Sequence, residues 1–164
     1  MINIRLQKIS DAKRFYEILN NPSFKYFNVQ PNSIEEEIEY LKGNEKRIKD
    51  NIEYNYTILK DRDVIGAIGV KIKPNSNFIG EIGYFLDEKY WGHGITSQAV
   101  KLIEEVCIHK LNLTRLEIYM QLENKASEKV AIKNFYEKEG ILKQFIKHKD
   151  SSKKDCYLYA KIVG

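Results

Sequence analysis

Apolar positions along this chain change period several times, and each change predicts a new element. Positions 2–6 alternate as a short strand, after which Ser10 reads as a helix cap ahead of Ala12, Phe15, Ile18 and Leu19, spaced to share one helical face. Asn20, Asn21 and Pro22 stop that helix. Ser33 and Glu36 have capping-box spacing and open a second, strongly charged helix carrying Ile34, Ile38 and Leu41. Its polar majority predicts a solvated outer face.

Beyond that helix the period falls to two. Positions 54–59, 64–72 and 78–86 read as strands separated by the turns Asp61-Arg62-Asp63 and Pro74-Asn75-Ser76-Asn77, which makes a three-strand antiparallel meander. A connection ending in Gly92 and Gly94 leads into a helix over 95–110, with Ala99, Ile103, Val106 and Lys110 at helical steps. Positions 113–120 form the next strand, 125–135 a helix, and Phe145 and 157–162 two closing strands. A right-handed crossover through the long helix sets the strand at 113–120 parallel to the one at 78–86. The fold class is therefore α/β or α+β: a mixed, mostly antiparallel sheet with helices on both faces.

Composition changes this picture little. With 164 residues, 43% hydrophobic and 12% aromatic, the chain suits a single domain over 1–164 and is short for two. Its charged fraction of 30% is mixed in sign, and the net charge of +4 is compatible with an anionic ligand. No signal-like or membrane-spanning apolar run occurs, which predicts a cytoplasmic protein without a membrane partner. Cys107 and Cys156 lack CxxC or zinc spacing and read as core thiols, and His93, His109 and His148 lack metal-site spacing, so no metal is expected.

Candidate chemistry begins at Tyr90-Trp91-Gly92-His93-Gly94-Ile95-Thr96, where a strand feeds a helix N-terminus. The first four amides of a helix lack intrahelical partners and the dipole there favours anions. Gly92 and Gly94 would let backbone approach a pyrophosphate, and Thr96 could add a hydroxyl. The motifs GxxxxGK[ST] and GxGxxG are both absent, so this is a different cradle.

The run from Gly80-Glu81-Ile82-Gly83-Tyr84 to Tyr90-Trp91-Gly92-His93-Gly94 resembles the acetyl-CoA motif of the GNAT superfamily, in the branch of the ribosomal-protein N-terminal acetyltransferases RimJ and RimL. Asn124-Lys125-Ala126-Ser127, together with Val130, Lys133 and Glu139-Gly140, resembles that branch's later motif, which opens with NxAS and closes with EG. The resemblance implies a GNAT-like acyl-CoA N-acyltransferase fold and acetyl-CoA as cosubstrate. It also implies that backbone at Phe85 and Leu86 holds the pantetheine arm, that residues Trp91 to Thr96 bind the diphosphate, that Asn124 bonds pantetheine, and that Ser127 lies by the thioester sulfur. Homodimers are common in the family. Three positions depart from the pattern: Lys89, Gln98, and Phe135-Tyr136 where the branch usually has Gly-Phe.

An amine attacks a thioester only as the free base, so such a site must accept a proton and stabilise an oxyanion and a departing thiolate. A protein α-amine (pKa about 8) deprotonates readily near neutrality, whereas a lysine at about 10.4 costs about 4 to 5 kcal/mol. Glu81 is the candidate base or amine anchor, because alternation sets it on the strand face of Gly83 and Phe85; a plain surface carboxylate is the competing reading. Ser127 could assist the leaving thiolate, although Asn124 or Ser127 could instead cap the helix beginning near Lys125. Tyr136 is a rival proton donor, or a core residue.

The expected reaction is transfer of acetyl from acetyl-CoA to a primary amine: a peptide N-terminus, or a small molecule such as a polyamine or aminoglycoside. The competing class is a non-catalytic acetyl-CoA-binding or nucleic-acid-associated module. Nucleic acid would require basic residues interleaved with exposed aromatics, and no such concentrated patch occurs; Lys147, Lys149, Lys153 and Lys154 read as a solvated hairpin, with an acidic partner or the CoA 3′-phosphate as alternatives.

Overall fold

A computed structural model describes residues 1–164. The strands β1 (Ile2–Leu6), β2 (Glu53–Lys60), β3 (Asp63–Lys73), β4 (Ser76–Leu86), β5 (Arg115–Gln121), β6 (Glu137–Lys147) and β7 (Lys153–Ile162) form one sheet in the order β1-β2-β3-β4-β5-β7-β6. Every neighbouring pair is antiparallel except β4 and β5, which the crossover helix α4 (Ile95–His109) joins in parallel. Asp61 and Asn75 take left-handed φ of 56° and 62° in the two meander turns, a conformation that Asn and Asp tolerate.

Alternation along β4 divides the sheet into two packed faces. Ile82 and Leu86 join Ile58, Ile68, Val70, Leu116 and Ile118 beneath Ala99, Val100, Ile103 and Cys107 of α4. Each such aliphatic side chain contributes about 1.5–3 kcal/mol when fully buried. On the other face Phe85 and Ala67 meet Phe15 of α1 (Ala12–Leu19) and Leu41 of α2 (Ile34–Lys42), with the Phe15 and Phe85 rings edge-on at 5.4 Å. A short α3 (Asn44–Lys49) comes directly after α2, and α5 (Lys125–Lys133) adds Ala131 to the α4 side. No helix is long and apolar enough to cross a membrane. Cys107 and Cys156 are buried and unbonded, and burial pushes their thiols up to about 12 and about 11, as inert core positions should show.

Three local expectations change. Ser10 does not cap α1; it lies inside a 3-10 turn, Ile9–Asp11, and Asp11 takes the anchoring role instead. That carboxylate is buried, accepts from the Lys8 amide (2.9 Å) and the Thr57 hydroxyl (2.6 Å), and pairs with Arg5 at 2.7 Å, an arrangement that a serine hydroxyl could not match. The helix expected over 125–135 ends at Lys133, because Phe135 takes a left-handed φ of 65°. The solvated face of α2 holds at Glu35, Glu36 and Glu39, but Glu37 is buried against the sheet. The lysine-rich hairpin is solvated as expected, with Lys147, Lys149 and Lys153 exposed, and its tip is also fastened: Lys149 Nζ donates to Phe24 O (3.2 Å), and Asn28 Nδ2 donates to Lys147 O (2.7 Å).

Candidate active site

The glycine turn is assembled from both of its ends. Asp87 accepts from the Lys89 amide and from Arg14 of α1, while the Trp91 indole donates to Leu86 O at 2.7 Å and its ring meets Phe24 edge-on at 5.5 Å. These contacts fix the backbone ahead of the turn. Gly92 and Gly94 then take left-handed φ of 77° and 71°, and a Cβ at Gly92 would stand in open space. None of the amides from Gly92 through Ser97 donates to another group of the protein. Ile95 is buried, Thr96 half-buried, and the His93 ring faces solvent, so their common contribution to the turn is main chain. The Lys133 ammonium of α5 stands over the turn, 3.2 Å from where a Gly94 Cβ would lie, and has no carboxylate partner. Converging free amides, a helix dipole and one unpaired cation fit a diphosphate.

A slot opens beside this cradle. The parallel ladder between β4 and β5 joins only Ile79 to Arg115, Gly80 to Leu116 and Glu81 to Glu117, yet β4 runs on to Leu86 and β5 to Gln121. From Ile82 onward no ladder pair joins the two strands; the backbone of Ile82, Tyr84 and Leu86 faces the opening, where the Leu86 carbonyl takes the Trp91 indole and Phe85 pairs back towards β3. Tyr84 and Ser127 span that divergence, hydroxyl to hydroxyl at 2.6 Å. Burial pushes the Tyr84 phenol up to about 12, so it stays protonated near neutral pH. Asn124 is the N-cap of α5, its Oδ1 accepting from the Ser127 amide at 3.2 Å, which leaves its Nδ2 to donate elsewhere.

The face of β4 that carries Glu81, Gly83 and Phe85 forms the floor of a groove of about 210 Å³. Direct cross-strand pairing sets Glu53, Lys71 and Glu81 in one row and Asn55, Gly69 and Gly83 in the next. The second row is flat: a Cβ at Gly83 would meet nothing within 4 Å. Helix α2 and the loop before it wall the groove with Glu37, Tyr40, Phe27 and Val29. Glu81 is exposed to the groove, and partial desolvation by the walls around it raises its pKa above the ordinary carboxylate value, against the opposing pull of Lys71 and Lys73.

A family model described as "Acetyltransferase (GNAT) domain" matches residues 2–134. The chain belongs to the GNAT acetyltransferase family. Its activity is acetyl-CoA-dependent N-acetyl transfer. It is similar to the ribosomal-protein-serine acetyltransferase of Escherichia coli K12, 34% identical over 108 residues, spanning 66% of this chain and 60% of that protein. An uncharacterized N-acetyltransferase, p20, of Bacillus licheniformis is 29% identical over 154 residues, 90% of this chain and 85% of that one. The structure of RimL, a ribosomal L7/L12 α-N-protein acetyltransferase in complex with coenzyme A, superposes with a TM-score of 0.87 at 25% identity, covering 99% of this chain and 94% of RimL.

In this GNAT acetyltransferase Tyr136 lies away from the groove. Its ring is 3% exposed in the core, burial holds its phenol far above the ordinary range, and neither its hydroxyl nor Glu104 Oε1 has a hydrogen-bond partner, while Lys161 pairs with Glu104 Oε2 at 2.9 Å. The arrangement is that of a packed residue. Tyr84, Glu37 and Lys133 escaped sequence reasoning as site residues. Strand alternation does place Tyr84 opposite Glu81, but nothing in the pattern shows that the sheet opens there.

Proposed function

We propose that this acetyltransferase holds the diphosphate of acetyl-CoA on the main-chain amides between Trp91 and Thr96, under the Lys133 ammonium, and acetylates a primary amine lying over Gly83. The acceptor is a protein N-terminal α-amine or a small-molecule amine. One observation carries the reading: six consecutive amides, Gly92 to Ser97, open at the N-terminus of a 15-residue helix between two left-handed glycines and an unpaired cation. The E. coli and RimL relatives are named for acetylating ribosomal proteins, which keeps a protein α-amine among the acceptors beside a small-molecule amine.

Acetyl-CoA supplies a thioester carbonyl carbon and a thiol leaving group. Glu81 accepts the ammonium proton or anchors the amine; its raised pKa brings it nearer to that of its proton donor than an ordinary carboxylate would be. Backbone at Tyr84 and Leu86 and the free Nδ2 of Asn124 orient the pantetheine arm. The Tyr84–Ser127 bond uses one of the pair's two hydroxyl hydrogens; when Tyr84 donates, the Ser127 hydrogen can hydrogen-bond the departing thiolate without leaving its oxygen. Trp91, His93 and Ile95 shape the cradle around Gly92 and Gly94.

The test is thiol release from acetyl-CoA across a panel of N-terminal peptides and small amines. Release with at least one amine supports the enzyme; donor binding with no release would identify a non-catalytic acetyl-CoA module.

A further inference from the structure

The acceptor groove carries more negative charge than acetyl transfer requires. Glu37, Glu53 and Glu81 line it against one ammonium, Lys71. Two of the three carboxylates have local partners. Glu53 lies 3.6 Å from Arg47 and directly opposite Lys71, and Lys71 also lies opposite Glu81. Glu37 differs from both: it is 6% exposed, turned from α2 onto the groove, and has neither an ion pair nor a hydrogen bond within the protein. The charged group acting on it most is Glu36, of the same sign, and burial holds its carboxyl above the ordinary range. The Glu37 oxygens still reach the groove, so the carboxylate is only partly desolvated; without a partner it carries a cost that a ligand cation placed beside it would reduce.

The remaining walls narrow the ligand's chemistry. Leu19, Phe27, Val29 and Phe85 add apolar surface to the lining, while the side-chain amides of Gln7 and Asn55 are already bonded to Asn44 and Tyr40. The apolar stretches suit methylene groups, and the excess of carboxylates suits a ligand with more than one cation. We infer that the acceptor is a linear aliphatic diamine or polyamine, with its reacting nitrogen beside Glu81 and a second charged nitrogen held by Glu37. This rests on the acetyltransferase reading above and selects one acceptor class within it. Glu37 is then a specificity-determining residue remote from the reacting atoms.

Steady-state kinetics with four acceptors tests this: 1,4-diaminobutane, spermidine, 1-butylamine and a serine-initiated peptide, each at saturating acetyl-CoA. The diamine and 1-butylamine share a carbon chain and differ by one cation. The native protein should prefer the diamine at least tenfold in kcat/KM, and Glu37→Gln should collapse that ratio through the diamine KM. The same preference should shrink in the native protein as ionic strength rises, a readout that does not depend on the variant folding. Equal use of the two amines, preference for the peptide, or an equal loss on both amines in Glu37→Gln would overturn the assignment. Calorimetry with acetyl-CoA alone separates the levels: no donor uptake removes the enzymatic reading itself, whereas uptake with turnover on the peptide but not the diamine removes only the polyamine assignment.

Discussion

The hydroxyls of Tyr84 and Ser127 lie 2.6 Å apart across the gap where β4 leaves β5. One belongs to a strand and the other to the first turn of α5, so the bond ties together the two sides of the slot that the donor's arm would enter. Because the phenol is pushed up to about 12, both hydroxyls keep their hydrogens and the bond persists throughout the physiological range. Ser127→Ala should cost about 1 kcal/mol of stability, a lost hydrogen bond, and lower kcat by about tenfold or more. The phenol also sets an alkaline limit: its folded pKa lies above the unfolded value of 10.0, so stability present below pH 10.0 is lost as pH rises towards about 12. Denaturant midpoints of the native protein and Tyr84→Phe, followed from pH 9 to 12, should converge if this is right.

Glu81 gives a second pH signature, of a different kind. Its pKa is raised chiefly by burial and pulled back by Lys71 and Lys73, so the protonated carboxyl persists above the ordinary carboxylate range. A base must be ionised, and kcat/KM should therefore fall on the acid side through a titration above 4.5, the ordinary value. Glu81→Gln should remove that acid limb and lower turnover. For stability the sign reverses: a carboxyl with a raised folded pKa helps below its unfolded pKa and loses that help as pH rises through the folded one. Melting temperatures at pH 8 should consequently be equal or slightly higher in Glu81→Gln, which separates a catalytic defect from an unfolding one.

The sheet meander and the glycine turn were legible because both are local: period-two alternation and two glycines before a helical run need no tertiary context. The β4–β5 slot was not, since Ile82–Leu86 and Ile118–Gln121 look like ordinary paired strands in sequence, and only the ladder's end at Glu81 exposes their edges. Glu37 was hidden for a related reason. It stands in a run of glutamates that reads as a solvated face, and its burial depends on where α2 settles beside the groove, which no local pattern shows. Asp11, three donors deep in a turn, likewise displaced a Ser10 cap that spacing alone suggested.

Phe135 marks a local strain that substitution should relieve. It occupies the left-handed position after α5 with φ 65° and is 78% exposed, so its side chain gains little from packing. The resembled branch usually has glycine there. Phe135→Gly should stabilise the protein by about 1 kcal/mol, raising the melting temperature by about 2–4 °C in a chain of this size. An unchanged or lower melting temperature would show that the ring makes a compensating contact.

Gly83 tests the groove without touching a charge. A Cβ there meets nothing within 4 Å, and a β-branched residue suits a strand, so Gly83→Val should fold with undiminished stability. Its methyl groups would nevertheless fill the floor on which the acceptor lies. Acceptor kcat/KM should drop more than tenfold while acetyl-CoA affinity, measured by calorimetry, stays within about twofold. A loss of donor affinity of the same size would mean that the groove and the donor slot are one space.

Lys133 lies between two helix dipoles of opposite effect. As the last residue of α5 it is favoured by that helix, while over the N-terminus of α4 it is opposed, each by a few tenths of a kcal/mol up to about 1, and no carboxylate pairs with it. Its removal should therefore change the free protein little and the donor complex more. Lys133→Gln should leave the stability of the free protein nearly unchanged, yet weaken acetyl-CoA binding by about three- to tenfold and flatten the dependence of that binding on salt. Gly94→Ala should do otherwise: the left-handed φ of 71° adds about 1–2 kcal/mol of backbone strain, so both stability and donor affinity fall. Thermal melts with and without donor distinguish the two patterns. A Lys133→Gln protein that binds acetyl-CoA as tightly as the native one would remove this side chain from the cradle, leaving the amides alone to hold the diphosphate.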